Sequence, residues 1–165
     1  MSQPTVAAYS GTFDPITNGH TDVIRRAARF FEKMLVAVAV NSSKTPLFSI
    51  EERCDLVRQS LADVPNLEVV PWDELIVHLF QKRGVTVLVR GARGVGDFEY
   101  EKQMALMNRF LEPSIDTILL APAPQYEQIS SSLVREIASH GADVSGLVPA
   151  VVNEALKRKF AVRRK

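Results

Sequence analysis

The 165-residue chain has one cysteine, Cys54, so no internal disulfide can form, and a reducing, cytoplasmic setting is the simplest expectation. Its three histidines, His20, His78 and His140, are far apart and lack metal-ligand spacing, which sets aside a histidine-built metal centre. A formal net charge of +1 excludes the strongly basic surface of a nucleic-acid-binding protein, though not a local basic cleft. No apolar run is long enough to span a membrane, and the short polar start, Met1 to Pro4, does not read as a signal peptide. There is no Gly-x-x-x-x-Gly-Lys-Ser/Thr loop, and no Gly-x-Gly-x-x-Gly opens the first helix. Gly91-Ala-Arg-Gly94-Val-Gly96 is glycine-rich but has the wrong spacing for a dinucleotide fingerprint. Ser132 has no evident His/Asp partners, which argues against a serine hydrolase. Repeats, low-complexity tracts and linkers are absent too, so residues 1–165 read as one domain. The cluster Lys157, Arg158, Lys159, Arg163, Arg164, Lys165 reads as a solvated helix end (a weak polyanion contact is the alternative), since cations suit that pole of the helix dipole.

A hydrophobic content of 46% with 24% charged residues is that of a globular domain with a real core. Short apolar runs, Thr5–Tyr9, Leu35–Val40, Leu67–Val70, Thr86–Val89 and Thr117–Leu120, do not alternate strictly with polar residues. Continuous runs suit strands covered on both faces, as in a parallel sheet. Helical patterns lie between them. Thr21–Phe31 is the first. Ser49-Ile-Glu-Glu is a capping box for a helix reaching about Ala62. Asp73 is expected to cap a helix closing near Gly84, and Asp97 to cap Phe98–Leu111, in which Phe98, Met104 and Leu111 look like packing positions and Met104 and Met107 like core or interface filling. Ser130–Ser132 open a helix ending near Gly141, and Pro149 starts the last. The order βαβαβαβαβ followed by two helices predicts an α/β fold, a doubly wound five-stranded parallel sheet with right-handed crossovers.

In such sheets ligands bind beyond the carboxyl ends of the strands, and the unusual residues fall there. Residues 10–20, Ser-Gly-Thr-Phe-Asp-Pro-Ile-Thr-Asn-Gly-His, link the first strand to a helix. A helix N-terminus offers free N–H groups and a partial positive charge to a phosphate. Gly11 and Gly19 are expected to let the backbone approach a ligand. His20 falls in the first helical turn, where the dipole disfavours an added proton and makes it a neutral donor. Asn41 to Lys44 follow the second strand, Arg90 to Gly94 the fourth, and Pro122 to Ser132 the fifth. Together they suggest a site for a ligand with several phosphates. Lys44 alone reads as a solvated loop lysine, and Arg93 serves equally well to keep its loop soluble. Ser130–Ser132 serve as redundant caps or as a triphosphate cradle. Glu101 reads either as a solvated carboxylate or as one reaching the cleft.

These residues resemble a known family. Gly11-Thr-Phe-Asp-Pro15 with Thr17-Asn-Gly-His20 is similar to the Thr/His-x-Gly-His signature of the nucleotidyltransferase superfamily. Arg90-Gly-Ala-Arg93, Asp97-Phe-Glu-Tyr-Glu101, Gln103-Met-Ala-x-Met107-Asn108 and Ile129-Ser-Ser-Ser-Leu-Val-Arg-Glu136 resemble the phosphopantetheine adenylyltransferases, in register from Val6 to about Ala155. The resemblance implies a Rossmann-like fold and transfer of AMP from ATP to 4′-phosphopantetheine, with release of pyrophosphate, in coenzyme A biosynthesis. It implies that His20 stabilises the reacting α-phosphate, that Lys44 and Arg90 hold the acceptor phosphate, and that Thr12 and Phe13 line both subsites. It also implies that Leu75 and Ile76 bound the pantetheine arm. Gly91, Ala92, Arg93, Glu101, Tyr126, Glu127, Gln128, Ile129, Ser130, Ser131 and Ser132 would hold ATP, with Mg²⁺ carried on the triphosphate and no resident metal. A homohexamer and feedback inhibition by coenzyme A are implied as well; nucleic acid and membrane partners are not. Ser10 stands where the family commonly has proline and Ala92 where leucine is common, while Gly94 and Gly96 add glycine to the next loop. These changes are expected to alter loop stiffness and pocket shape and to leave the charged groups alone.

Overall fold

The computed structural model describes residues 5–40 and 45–163. Lys44 and its neighbours Asn41, Ser42 and Ser43 therefore lie outside the described residues, as do Met1 to Pro4, Arg164 and Lys165. The elements run β1 (Val6–Gly11), α1 (Asn18–Ala28), β2 (Lys33–Ala39), α2 (Ile50–Ser60), β3 (Leu67–Trp72), α3 (Ile76–Arg83), β4 (Val87–Gly91), α4 (Val95–Leu111), β5 (Asp116–Leu120), α5 (Ser131–Ser139) and α6 (Ala150–Arg163).

The five strands form one sheet in the order β3-β2-β1-β4-β5, and every pairing is parallel. The expected α/β class and strand number hold. β1 and β2 are central, and their apolar runs are covered on both faces: Ala7, Ala8, Met34, Val36 and Val38 have no exposed surface. On one face Val23, Ile24 and Ala27 of α1, Leu56 and Val57 of α2, Val134 of α5 and Val152 and Leu156 of α6 pack into a single cluster with Met34, Val36, Val38 and Val89. On the other, Val77, Leu79 and Phe80 of α3 cover Ala8, Leu35, Ala37 and Leu88. The chain crosses from β3 on one side of β1 to β4 on the other. The crevice beyond Gly11 and Gly91 is therefore the switch point, where neighbouring connections leave in opposite directions.

Local chemistry sets most helix starts. Ser49 accepts the N–H of Glu52, and the Glu52 carboxylate accepts the N–H of Ser49, the reciprocal capping read from their spacing. Ser130 caps α5 through the N–H of Leu133, and α6 begins one residue after Pro149. Two expected caps are corrected. Leu75, not Asp73, occupies the N-cap of α3, with no side-chain bond. α4 starts at Val95 behind Gly94, because Asp97 is already in its first turn and its carboxylate takes the N–H and guanidinium of Arg93.

α4 also departs from its expected packing. Its buried residues are Glu101 and Asn108, whereas Phe98, Met104, Leu106, Met107, Phe110 and Leu111 are exposed, Phe110 by 80%. The polar stripe of this helix faces inward because it borders the crevice, leaving the apolar stripe outside. Among the described residues no helix is long and apolar enough to cross a membrane.

Candidate active site

A cavity of about 310 Å³ opens at the switch point, lined by His20, Arg90, Arg93, Tyr126, Ser130 and Ser131 among others. Two further cavities flank it. One, of about 230 Å³, lies between Thr12, Trp72 and Ile76; the other, of about 210 Å³, lies between Ile76, Arg90, Met104 and Asn108. Ser10 and Ile76 border both of the smaller cavities, and Arg90 borders the main cavity and the Met104 cavity. The three hollows thus share walls along one edge of the sheet.

His20 is the third residue of α1. Thr17 caps the helix by accepting the His20 N–H at 3.4 Å, and the Thr17 backbone N–H donates to Nδ1 of His20 at 3.1 Å. That bond makes Nδ1 an acceptor. A neutral imidazole with Nδ1 accepting carries its proton on Nε2, so the free edge of the ring is a donor. Burial, and then the positive charges of Arg90 and Arg93, push the His20 pKa down to about 4, and the helix N-terminus acts in the same direction. The ring is therefore neutral near pH 7. It stands edge-on to Phe13, with centroids 5.2 Å apart.

The loop under His20 is held from several sides. Phe13 is buried with φ of 49°, and its ring lies 3.0–3.3 Å from where a Cβ on Gly11 would stand. A side chain at Gly11 would press on the Phe13 ring, and Gly11 also lines the Trp72 cavity. Asp14 accepts the N–H groups of Leu47 and Phe48 and lies 3.5 Å from the Arg135 guanidinium. Ser131 donates to the carbonyl of Pro15 at 2.8 Å. Beneath the loop Arg53, 1% exposed, donates to the carbonyls of Thr12, Ala39 and Phe48.

Both arginines of the cavity are paired. Arg90 forms a two-bonded fork on Glu101, Nε to Oε2 at 2.9 Å and Nη2 to Oε1 at 2.8 Å. Burial, the largest single influence, opposes its charge, but the Glu101 hydrogen bonds and negative charge, with smaller contributions from Tyr9 and Tyr100, together raise its pKa. Glu101, expected among the ATP ligands, thus has both oxygens on Arg90. Arg93 bonds Asp97 at 2.7 Å and the Ile129 carbonyl at 2.9 Å. The Asp97 bond raises the Arg93 pKa, and the same contact lowers that of Asp97.

Of the residues expected to hold ATP, His20, Gly91, Arg93, Glu101, Tyr126, Ile129, Ser130 and Ser131 line the main cavity. Thr12, Phe13, Ala92, Glu127, Gln128 and Ser132 lie outside its lining; Thr12 opens instead on the Trp72 cavity. Ile76 borders the two smaller cavities, while Leu75 is exposed and gives its carbonyl to the Trp72 indole. Tyr9, Thr17, Asp97 and Tyr100 also line the main cavity, and Ser10 and Arg53 reach the site without having been singled out as site residues. The three- and four-residue steps from Arg53 to Leu56 and Val57 put Arg53 on the buried face of α2, but a charged side chain there reads as solvated until its three carbonyl partners are known.

Residues 8–137 match the cytidylyltransferase-like family model. The chain is 52% identical over 155 residues to the phosphopantetheine adenylyltransferase of Methylococcus capsulatus (strain Bath), covering 94% of this chain and 96% of that one. It is 49% identical over 156 residues to the enzyme of the same name from Hahella chejuensis, covering 94% and 97%. The chain belongs to the phosphopantetheine adenylyltransferase family. Its fold is also that of a solved structure described as a putative nicotinate-nucleotide adenylyltransferase from Vibrio parahaemolyticus, with a TM-score of 0.72 over 99% of this chain and 98% of that one at 17% identity. Phosphopantetheine adenylyltransferases are nucleotidyltransferase enzymes, and the crevice between β1 and β4 is where this fold brings His20, Arg90 and Arg93 together.

Proposed function

We propose that this crevice carries out adenylyl transfer from ATP to 4′-phosphopantetheine, giving dephospho-coenzyme A and pyrophosphate. The observation that carries the reading is the Thr17 N–H bond to Nδ1 of His20, which leaves a neutral ring presenting its Nε2–H, with no partner for it among the described residues, beside Arg90 and Arg93 in a cavity that also takes in the N-terminal turns of α1 and α5. Such a group donates to an oxygen that gains negative charge without giving up its proton.

The acceptor phosphate is already an anion. One of its oxygens attacks the α-phosphorus, a P–O bond forms, and the bond from the α-phosphorus to the bridging oxygen breaks, so pyrophosphate leaves with that electron pair. No proton has to be removed, and catalysis reduces to positioning and charge stabilisation. In this reading His20 donates to the α-phosphate, and Arg90 together with Lys44 holds the acceptor phosphate. Gly91 to Arg93, Glu101 and Tyr126 to Ser132 surround ATP. Thr12 and Phe13 line both subsites, and Leu75 and Ile76 bound the pantetheine arm, for which the two smaller cavities offer apolar walls at Ile76, Trp72 and Met104. Mg²⁺ enters with the triphosphate as part of the substrate; the cavity carboxylates, Asp97 and Glu101, are each engaged by an arginine.

The exposed apolar stripe of α4 supports self-association into the homohexamer expected of the family. Coenzyme A, which shares the pantetheine arm, fits the same crevice as a feedback inhibitor, and the cytoplasm is the setting. The deciding experiment measures pyrophosphate release from MgATP with 4′-phosphopantetheine, nicotinamide mononucleotide and glycerol phosphate in parallel. Release with phosphopantetheine alone is expected; release with another acceptor overturns the substrate, and no release with any of them overturns the chemistry.

A further inference from the structure

Ser10 does more than alter loop stiffness. It is a residue of β1, paired in register with Ala37, and its carbonyl and hydroxyl both face the guanidinium of Arg90. Nη1 of Arg90 donates to the Ser10 carbonyl and, at 3.1 Å, to its Oγ. Glu101 takes the opposite edge through Nε and Nη2. A guanidinium has five N–H groups in one plane. Among the described residues Nε and Nη2 each give one bond to Glu101 and Nη1 bonds the Ser10 carbonyl and hydroxyl, which leaves one hydrogen of Nη2 without a partner there. The plane is gripped at both edges, and the charge rests where the main cavity meets the Met104 cavity. Without the Ser10 hydroxyl, Nη1 would keep only the Ser10 carbonyl among the described residues, and the guanidinium would turn more freely about the Glu101 fork.

We infer that Ser10 is a positioning residue, whose hydroxyl orients Arg90 so that its one free N–H points at the acceptor phosphate. Proline, common at this position in the family, has no hydroxyl, so this contact belongs to the chain's own sequence. The inference rests on the proposed adenylyl transfer for its kinetic consequence, but not for its geometric one.

The test compares Ser10→Ala with Ser10→Thr in the full-length protein. In ¹⁵N-resolved spectra of the Arg90 guanidinium (assigned with Arg90→Lys), wild type should give separate, slowly exchanging Nη signals. Ser10→Ala should broaden or merge them, and Ser10→Thr should preserve them. Ser10→Ala should lower kcat/KM for 4′-phosphopantetheine about 3- to 10-fold, the range for one ordinary hydrogen bond lost while the Glu101 fork and the Ser10 carbonyl still hold the charge, with KM for ATP changed less than about twofold. Ser10→Thr should restore the wild-type value. The melting temperature should be unaffected, since no core group is removed. Unchanged Arg90 spectra in Ser10→Ala, or unchanged kinetics in an active enzyme, overturn the inference. If wild type turns over no phosphopantetheine, the functional reading fails, and the spectra alone decide whether Ser10 orients Arg90.

Discussion

Replacing His20 by alanine removes one preorganised donor and should leave the rest of the cavity in place. The Nε2–H exists as a donor because the Thr17 N–H holds Nδ1 at 3.1 Å, so the ring cannot present the other tautomer without losing that bond. Losing one such donor to a developing oxyanion costs roughly 10²- to 10³-fold in kcat, about 3–4 kcal/mol. KM for ATP should change far less, because in the proposed reaction the donor acts on charge that grows in the transition state. Thr17 also loses the partner of its N–H, a capping loss of about 1 kcal/mol.

The same geometry predicts a pH signature. With a pKa near 4, His20 stays neutral across the working range, so kcat should show no histidine limb between about pH 5.5 and 8. Stability behaves differently. The unfolded chain binds a proton near pH 6.5 and the folded one near 4, so between these values the unfolded state holds more protons. The stability associated with the neutral ring is complete above pH 6.5 and falls as pH drops towards 4. At about 1.4 kcal/mol per pH unit this window is worth about 3 kcal/mol, and it should be missing in His20→Ala. The assays are pyrophosphate release at saturating substrates and urea unfolding, each from pH 4.5 to 8. A kcat within about fivefold of wild type would refute the donor role. A kcat limb near pH 6.5 that disappears in His20→Ala would refute the neutral ring.

Arg53→Met should destabilise the protein by at least about 2 kcal/mol in urea unfolding, because three buried carbonyls lose a charged donor; equal stability would mean that relieving the buried charge offsets those bonds. Gly11→Ala places a methyl 3.0–3.3 Å from the Phe13 ring, an overpacking worth about 1–3 kcal/mol. Since Phe13 stands against His20, kcat should fall with stability, and a folded variant with full kcat would show that Phe13 does not set the His20 position.

Residues 8–20 carry much of the site in their local order. A strand, a turn and a helix whose third residue is histidine put the imidazole at a helix N-terminus wherever the rest of the chain goes, and a capping serine with glutamate three residues later marks the start of α2 just as locally. Apolar runs without alternation likewise show that β1 and β2 are covered on both faces, since a strand exposed on one side would need polar residues there. Strand order is another matter. Placing β4 beside β1 depends on which way the connection after β3 crosses the sheet, and that choice creates the crevice. The partners of Arg90 follow from it: Ser10 lies 80 positions away, and Glu101 meets Arg90 only because α4 turns its polar stripe inward. Periodicity shows that α4 has an apolar side but not what covers it, so Phe98, Met104 and Leu111 read as core until neighbouring elements are in place. Arg53 is the clearest case, a charge buried because three carbonyls from separate segments converge on it. Short-range order thus determined the elements, the helix starts at Ser49 and Ser130 and the His20 turn. Contacts between distant segments decided which charges are paired, which faces are bare and which side chains line the crevice.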